Sequence, residues 1–365
     1  MRSLLPAVLL VLAGGAFAGD ELGKLYDGAP SRREARFDAP RPPSPEGVAA
    51  ERAPTPVPPE LAAAKARVGV DAQLAKLGAT APRDSFAFGV VGDAEPGRFP
   101  WERVFSPGPH VFEEQMRSLQ ASAPDFVLQL GDFVSEGIPE NYAKHVAWAD
   151  AEAKVPLLRC PGNHDRSRPN GDADKDLYDA VFGPRDYFFD RGGWRFIALD
   201  SSDRKVTPAQ LAWLKAALDS PARKVVFTHV PPKYLKDLKP LAEVGALETD
   251  SRAYDETVEK SGGVHDFFTN YFEDGAPEFE ALVSSPSARV TAVYMGHIHA
   301  FWAADHRGVR YVISGGGGSP LYPLPPGYPK KKFAHVLWVE ASPAGLRETV
   351  RPFKGAPFVL PPVRP

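Results

Sequence analysis

Five short apolar stretches of this 365-residue sequence end in glycine, acidic or histidine residues, and they constrain the fold more than any other feature. Each is rich in β-branched or aromatic residues and is bounded by turn residues, a pattern typical of a buried strand. They read FAFGVVGD at 86–93, FVLQLGD at 126–132, VPLLRCPGNHD at 155–165, KVVFTHV at 224–230 and VTAVYMGHIH at 290–299.

Helix-like stretches lie between several of these strands. HVFEEQMRSLQAS and NYAKHVAWADAEAK carry apolar residues at three- and four-residue intervals, and TPAQLAWLKAALDS opens with a good N-cap, Thr207, followed by Pro208. Strands that alternate with helices predict βαβ units, an α/β fold and a largely parallel sheet.

Other strands are predicted to be antiparallel. YFFDRGGWRFIALDSS at 187–202 indicates a hairpin around Gly192-Gly193. FWAADHRGVRYVISGGGG indicates a second hairpin that turns at His306-Arg307-Gly308, and FAHVLWVEA and LRETVRPF supply two further strands. The sheets are therefore expected to be mixed.

The ends of the folded part are predicted from composition. Residues 1–18 carry one positive charge, an apolar run and Ala16-Phe17-Ala18, which is the layout of a cleaved secretory signal. The run is short for a membrane span, so a permanent anchor is the less favoured alternative. We therefore expect an exported protein, periplasmic or extracellular, after cleavage near Ala18.

Residues 19–84 are rich in proline, alanine and charge, and we expect a largely disordered linker there, with a short helix possible around VDAQLAKLG. The folded part is predicted to begin near Ser85. Residues 233–280 separate two predicted strands and are rich in charged and aromatic residues. A segment of this length indicates either a lid over a functional site or a structural insertion.

The overall composition excludes some classes of function. A net charge of −3 gives no sign of a large basic surface of the kind that binds nucleic acids or anionic membranes. The single cysteine, Cys160, cannot form an internal disulfide, and its apolar surroundings favour an inert buried thiol. The oligomeric state cannot be read from the sequence.

Polar residues suited to chemistry stand at the ends of the predicted strands. In open α/β sheets, ligands bind beyond the carboxyl ends of the strands, so residues that are far apart in sequence can meet there. Carboxylates, an amide and imidazoles without a thiolate suit Mn, Fe, Zn or similar divalent ions, and six such groups suit two ions that share a carboxylate. The residues are Asp93, Asp132, Asn163, His229, His297 and His299, with His164 and Asp165 beside Asn163.

The order GD, GD, GNHD, H and GHxH resembles the calcineurin-like metallophosphoesterases, and the V-x-x-H block is shared with purple acid phosphatases. The resemblance covers about residues 86–340. It implies a β-sandwich with helices on both faces, that is, a four-layer α/β/β/α sandwich, with the metallophosphoesterase domain at 85–355. It also implies hydrolysis of a phosphate ester, either a phosphomonoester or a phosphodiester.

The same resemblance assigns a role to each site residue. Asp132 would bridge two divalent ions, Asp93 and His299 would hold the first, and Asn163, His229 and His297 would hold the second. His164 would face the phosphate as an electrostatic or acid group, oriented by Asp165. Water activated by the two ions would then be the hydroxide that attacks phosphorus.

Two positions depart from the family pattern. Many members carry a histidine two positions after the first aspartate, where this chain has Glu95. Purple acid phosphatases carry a tyrosine three positions after the second aspartate, where this chain has Ser135. The alternatives are therefore a binding protein without catalysis, with a weakened first metal site, or another two-metal hydrolase such as a peptidase, against which the GNHD block argues.

Overall fold

Two six-stranded sheets pack face to face in the computed structural model, which describes residues 55–95, 108–238, 240–241, 271–319, 321 and 333–363. The strands are β1 Phe86–Val91, β2 Phe126–Gln129, β3 Leu157–Arg159, β4 Tyr187–Arg191, β5 Trp194–Ala198, β6 Arg223–Phe227, β7 Val290–Met295, β8 Phe301–His306, β9 Val309–Ser314, β10 His335–Ser342, β11 Gly345–Pro352 and β12 Phe358–Val359.

Both sheets are mixed, as predicted. The first sheet has the order β12-β11-β10-β1-β2-β3, with β1, β2 and β3 parallel and β10 antiparallel to β1. The second has the order β4-β5-β6-β7-β9-β8, with antiparallel strands at both edges. The two predicted hairpins are β4–β5 and β8–β9. Because β1, β2 and β3 run parallel, as do β5, β6 and β7, their carboxyl ends lie along a common edge of each sheet.

Aromatic residues join the two sheets. Phe88 of β1 stacks on Phe126 of β2 with ring centroids 5.3 Å apart, and both meet Phe196 of β5 edge-on at 5.1 and 5.0 Å. All three side chains are fully buried. Burial of each contributes about 1.5–3 kcal/mol to folding, so the interface between the sheets is a main source of stability.

Helices cover the outer faces of the two sheets. They are α1 Pro59–Val68, α2 Val70–Gly78, α3 Gly108–Ala121, α4 Pro139–Glu152, α5 Asp176–Val181, α6 Pro208–Leu218 and α7 Ala276–Val283, with single 3-10 turns at Lys233–Asp237 and Pro286–Ala288. Met116 and Leu119 of α3 pack on the outer face of the first sheet. Leu214 of α6 and Phe279 of α7 pack on the outer face of the second. The expected four-layer α/β/β/α arrangement is therefore confirmed.

The predicted start of α6 is also confirmed. The Thr207 hydroxyl accepts the backbone N–H of Gln210 at 3.3 Å, and the Gln210 side chain accepts the N–H of Thr207 at 3.0 Å. This reciprocal capping box satisfies two N–H groups that have no partner within the helix.

The N-terminal segment differs from the expectation of a linker up to residue 84. From residue 55 it folds into α1 and α2, of which only α2 was foreseen as possible. The Gln73 side chain accepts the backbone N–H of Leu157 at 3.0 Å, and Arg159 donates to the carbonyl of Val68 at 3.3 Å. Composition missed this because α2 covers the open edge of β3, a tertiary role. The remainder of the predicted linker and residues 1–18 lie outside the described residues.

The interruption at 233–280 is described only at its two ends. Residues 271–280 pack back onto the second sheet, where Tyr271 and Phe272 are buried in its outer core. An isolated bridge joins Phe272 to Pro232. The possible lid itself, residues 242–270, lies outside the described residues. Across the part of the chain that is described, we find no helix with the length and apolar character of a membrane span.

Candidate metal centre

Several predicted site residues adopt an unusual backbone conformation at the strand ends. Asp93, Asp132 and His297 have φ angles of 58°, 52° and 69°, in the left-handed region that residues other than glycine rarely adopt. Such strain costs about 1–3 kcal/mol per residue and tends to persist where function requires it. The three residues therefore mark the carboxyl ends of β1, β2 and β7 as a candidate site.

Glycines let these strand ends approach one another. A Cβ atom on Gly162 would lie 2.1 Å from the Asp132 Oδ1 atom, and one on Gly296 would lie 2.6 Å from Asp93 Oδ2. Both distances are far below van der Waals contact, so a side chain at either position would displace a carboxylate. The glycines of the GNHD and GHIH motifs are thus steric requirements of the site.

The structure brings the predicted ligands into two groups that share one residue. Ligand atoms of Asp93, Asp132 and His299 lie within 4.8 Å of one another, and so do those of Asp132, His229 and His297. All five side chains are buried. We call the former group the first metal position and the latter the second metal position.

Asn163 completes the second metal position. Its Oδ1 atom lies 3.1 Å from His229 Nε2, which is also 3.2 Å from Asp132 Oδ2 and 3.3 Å from His297 Nδ1. The other ring nitrogen of His229, Nδ1, lies 2.7 Å from the Leu130 carbonyl. That carbonyl can only accept, so Nδ1 carries a proton, and Nε2 is the nitrogen that faces the other ligand atoms and would ligate a metal ion.

This donor set fits a divalent cation. The convergent atoms are imidazole nitrogens with carboxylate and amide oxygens, and a positive charge among them, either a proton on His229 or a metal ion, stabilises their close approach. Carboxylate, amide and imidazole ligands without thiolate are suited to Mn, Fe and Zn. The residues of the second metal position, and with them those of the first, are therefore able to hold such ions.

The electrostatics of the cluster lead to the same conclusion. Burial lowers the pKa of His229, but the carboxylates of Asp132 and Asp93 outweigh burial and raise that pKa to about 9. Burial lowers the pKa of His297 well below its ordinary value, and the nearby His229 lowers it further. Burial opposes ionisation of Asp132, yet His229 and His164 hold its pKa well below the ordinary value. The cluster thus attracts positive charge, which a metal ion supplies more fully than one proton.

At the first metal position, the Asp93 carboxylate is fixed by a backbone N–H group. The Asp93 carboxylate accepts the N–H of His297 at 3.0 Å through both oxygens, and His299 Nε2 lies 3.5 Å from Asp93 Oδ1. The backbone N–H of Glu95 donates to the Asp132 carbonyl at 3.0 Å. Its side chain is buried beside the site but does not belong to either ligand group found among the described residues.

His164 is fixed between Ser135 and the shared aspartate, Asp132. Its backbone N–H donates to Asp132 Oδ1 at 2.8 Å. Its ring Nδ1 lies 2.8 Å from the carbonyl of Ser135, which can only accept, so that nitrogen carries a proton. The ring is therefore oriented by the backbone of the loop after β2.

Asp165 has a different role from the predicted orienting group of His164. Its carboxylate accepts backbone N–H groups from Gly162, Asp132, Phe133 and Val134 at 2.7, 2.9, 3.0 and 3.3 Å. These bonds tie the loop after β2 to the loop after β3. Asp165 is thus an anchor of the ligand loops, while Ser135 supplies the carbonyl that holds the His164 ring.

Sequence reasoning missed a charged network beside the second metal position. It includes Arg166, directly after the GNHD motif, and Asp200, Asp203 and Arg204, on the turn that follows β5. The charge of Arg204 contributes to lowering the pKa of His297, after burial and His229. The signal was available as LDSSDR, a further polar strand end that carries no motif of its own.

Comparison with known proteins gives three similarities. A probable cyclic nucleotide phosphodiesterase from Fibrobacter succinogenes is 31% identical over 112 residues, or 30% of this chain and 42% of that protein, so the match spans less than half of the relative. A purple acid phosphatase from yellow lupin (Lupinus luteus) seeds superposes with a TM-score of 0.52 at 16% identity, covering 76% of this chain and 53% of that one. A dimetal phosphatase from Danio rerio superposes with a TM-score of 0.47 at 14% identity, covering 76% and 99%.

The family itself is shown by the sequence. The model of the calcineurin-like phosphoesterases matches residues 88–301, which is more than half of the chain and includes every residue of the two metal positions. This protein therefore belongs to the calcineurin-like phosphoesterase family.

Proposed function

We propose that this protein hydrolyses phosphoric ester bonds with two divalent metal ions, one at each metal position, and that Asp132 would bridge them. The observation that carries the proposal is that the two ligand groups share Asp132 and only Asp132. Mn, Fe and Zn are the candidate ions, because the ligands combine imidazole with carboxylate and amide oxygen. When bound, such a pair supplies charge neutralisation for the phosphoryl oxygens and an acidified water as nucleophile.

The protein's own groups then divide the remaining work. Asp93 and Asp132 place negative charge within the ligand cluster, where it attracts and orients cations. His229, held by the Leu130 carbonyl, keeps its Nε2 lone pair directed at the second metal position. Burial of all these side chains excludes bulk water, which strengthens each electrostatic interaction.

His164 is proposed to act on the phosphate. Its Nδ1 proton is held by the Ser135 carbonyl, so a protonated Nε2 would donate a hydrogen bond to a phosphoryl oxygen or a proton to the leaving oxygen. A positioned donor of this kind stabilises the charge that builds up as the ester bond breaks.

The substrate is proposed to be a phosphate ester, with phosphodiesters tested beside phosphomonoesters. The Fibrobacter succinogenes relative is named a probable cyclic nucleotide phosphodiesterase, which makes a cyclic phosphodiester a rational first member of a panel. The overlap with that relative covers only 42% of its length, so substrate choice stays a proposal.

Metal analysis combined with chromogenic esters tests the proposal. The purified protein would be stripped of metal, reloaded with Mn, Fe or Zn, and assayed on p-nitrophenyl phosphate, bis-p-nitrophenyl phosphate and a cyclic nucleotide. We expect two ions per chain and turnover that returns with the metal. One ion or none, with no turnover on any ester, would instead support the binding-protein alternative.

We further propose that the protein is exported, to the periplasm or outside the cell, after cleavage near Ala18. The charge, apolar run and small residues of positions 1–18 support this. Mass spectrometry of the protein from fractionated cells would test it. A mature N-terminus at Gly19 in the exported fraction is expected, and an intact Met1 with all protein in the cytoplasm would contradict it.

A further inference from the structure

Arg166 is a buried cation within the loop that carries Asn163. Its side chain is only 4% exposed, and the guanidinium donates to the carbonyls of Asn163, Pro169 and Gly171 at 3.3, 2.9 and 3.3 Å. A further bond reaches Asp203 Oδ1 at 2.7 Å. The planar fork of arginine can make all four contacts together, whereas the single ammonium of lysine cannot. The guanidinium therefore sets the path of residues 163–171.

The same carbonyl that binds Arg166 also binds the metal-facing amide. Asn163 Nδ2 donates to the Pro169 carbonyl at 3.1 Å, while its Oδ1 lies 3.1 Å from His229 Nε2. A carbonyl can accept but cannot donate, so this bond decides which end of the amide faces the metal position. If the Pro169 carbonyl moved away, the amide could rotate and present N–H groups, which do not ligate metal ions.

The far side of Arg166 is tied to the loop that carries His229. Asp203 bonds both Arg166 and Lys175, the latter at 3.0 Å, and Lys175 also contacts Asp200. On the same turn, the Ser201 hydroxyl accepts the N–H of Val230 at 2.7 Å and donates to the Val230 carbonyl at 3.1 Å. Hydrogen bonds thus join the Asn163 loop to Asp203, and the short turn that holds Asp203 and Ser201 joins them in turn to Val230, the residue after His229.

We propose that Arg166 is a positioning residue for the second metal position: together with Asp203 it holds the Pro169 carbonyl that orients the Asn163 amide. This inference rests on the proposed two-ion function. Groups that orient metal ligands from outside the coordination sphere are worth about ten- to a hundredfold in metal affinity. The Asn163 amide oxygen lies 3.1 Å from His229 Nε2 of the second metal position, so the affinity of the first metal position should depend less on Arg166.

Metal titration of matched variants tests this. The full chain and the variants Arg166→Met, Arg166→Lys and Asp203→Asn would be stripped of metal and titrated with Mn or Zn by isothermal calorimetry, with circular dichroism as a check of folding. Arg185→Met is the matched control, because Arg185 bonds Asp200 and Asp179 in the same network but on the side away from the Asn163 loop.

We expect Arg166→Met to weaken one of the two ions about ten- to a hundredfold while the other stays within about threefold of wild type. Arg166→Lys should lose nearly as much, because the fork is lost although the charge remains. Asp203→Asn should weaken the same ion by a smaller factor. The Asp203 carboxylate is partly exposed, so this variant is expected to fold and tests the inference if Arg166→Met does not fold.

Three outcomes would overturn the inference. They are a folded Arg166→Met protein that binds both ions like wild type, an equal loss in Arg185→Met, and an equal loss of both ions. If wild type itself binds fewer than two ions, the proposed function fails first, and that result is distinct from a failure at Arg166.

Discussion

The two metal positions share Asp132 but are built differently. At the second, ligand side chains have partners that fix their orientation: His229 bonds the Leu130 carbonyl and Asn163 bonds the Pro169 carbonyl. At the first, Asp93 is held through the backbone: its carboxylate accepts the N–H of His297, and the Ser319 N–H donates to its carbonyl. Neither Glu95 nor Ser135 supplies the ligand usual in relatives. The ligands of the second position are therefore better oriented for a metal ion, and we expect the two positions to bind their ions with unequal affinity.

Changing Asp132 to Asn should have the largest effect, because it removes the carboxylate that both positions share. We expect both ions to be lost and kcat/KM to fall about a thousandfold or more, since metal stabilisation of the transition state is worth several kcal/mol. Metal content and turnover measure this. Asp186→Asn, which alters a carboxylate outside both ligand groups, is the control and should keep both ions. Two retained ions in the Asp132 variant would mean that the positions do not share a bridge.

Changing His164 to Ala should separate catalysis from metal binding at both positions. We expect kcat to fall about a hundredfold, the usual contribution of a positioned proton donor, with both ions retained. His110→Ala, at an exposed histidine on α3, is the control. Full activity in the His164 variant would remove its proposed role, and loss of metal would show that the ring itself supports the ligands, because the backbone N–H that bonds Asp132 is kept in the Ala variant.

Titration of the wild-type protein should resolve two classes of ion. We expect affinities about ten- to a hundredfold apart, with the tighter class at the second position, because two of its ligands, His229 and Asn163, are oriented by backbone carbonyls. His297→Ala should remove the tighter class and His299→Ala the weaker one. A single class of two equal ions would contradict the comparison.

The smallest expected effect is a gain at the first position. Replacing Glu95 with His restores the ligand type usual in the family at a buried site next to Asp93. We expect the weaker ion to bind about tenfold more tightly, equivalent to about 1.4 kcal/mol. Glu95→Gln is the matched control and should change neither ion more than about threefold. If Glu95→Gln loses the weaker ion, Glu95 is itself a ligand and the two positions are more alike than we infer.

Much of this protein could be predicted from local sequence. The strand runs, both hairpins and the start of α6 depend on short-range patterns of apolar and turn residues, and the structure has each of them. The candidate ligands were found for the same reason, since each stands at the end of an apolar run and parallel strands bring such ends together.

Other features required the tertiary structure, because they depend on contacts between residues distant in the chain. The helices α1 and α2 have a linker-like composition and are held by the edge of β3. Asp165 binds four N–H groups from two loops, a role that the motif GNHD does not reveal. Arg166 becomes informative only when Pro169 and Asp203 are placed around it.

Residue type and spacing thus determined which groups could bind metal and on which kind of sheet edge they would stand. Folding decided how each group is oriented, since hydrogen bonds have direction and their partners here lie up to about two hundred residues apart in the chain. That is why the unequal preparation of the two metal positions is visible in the structure and not in the motif.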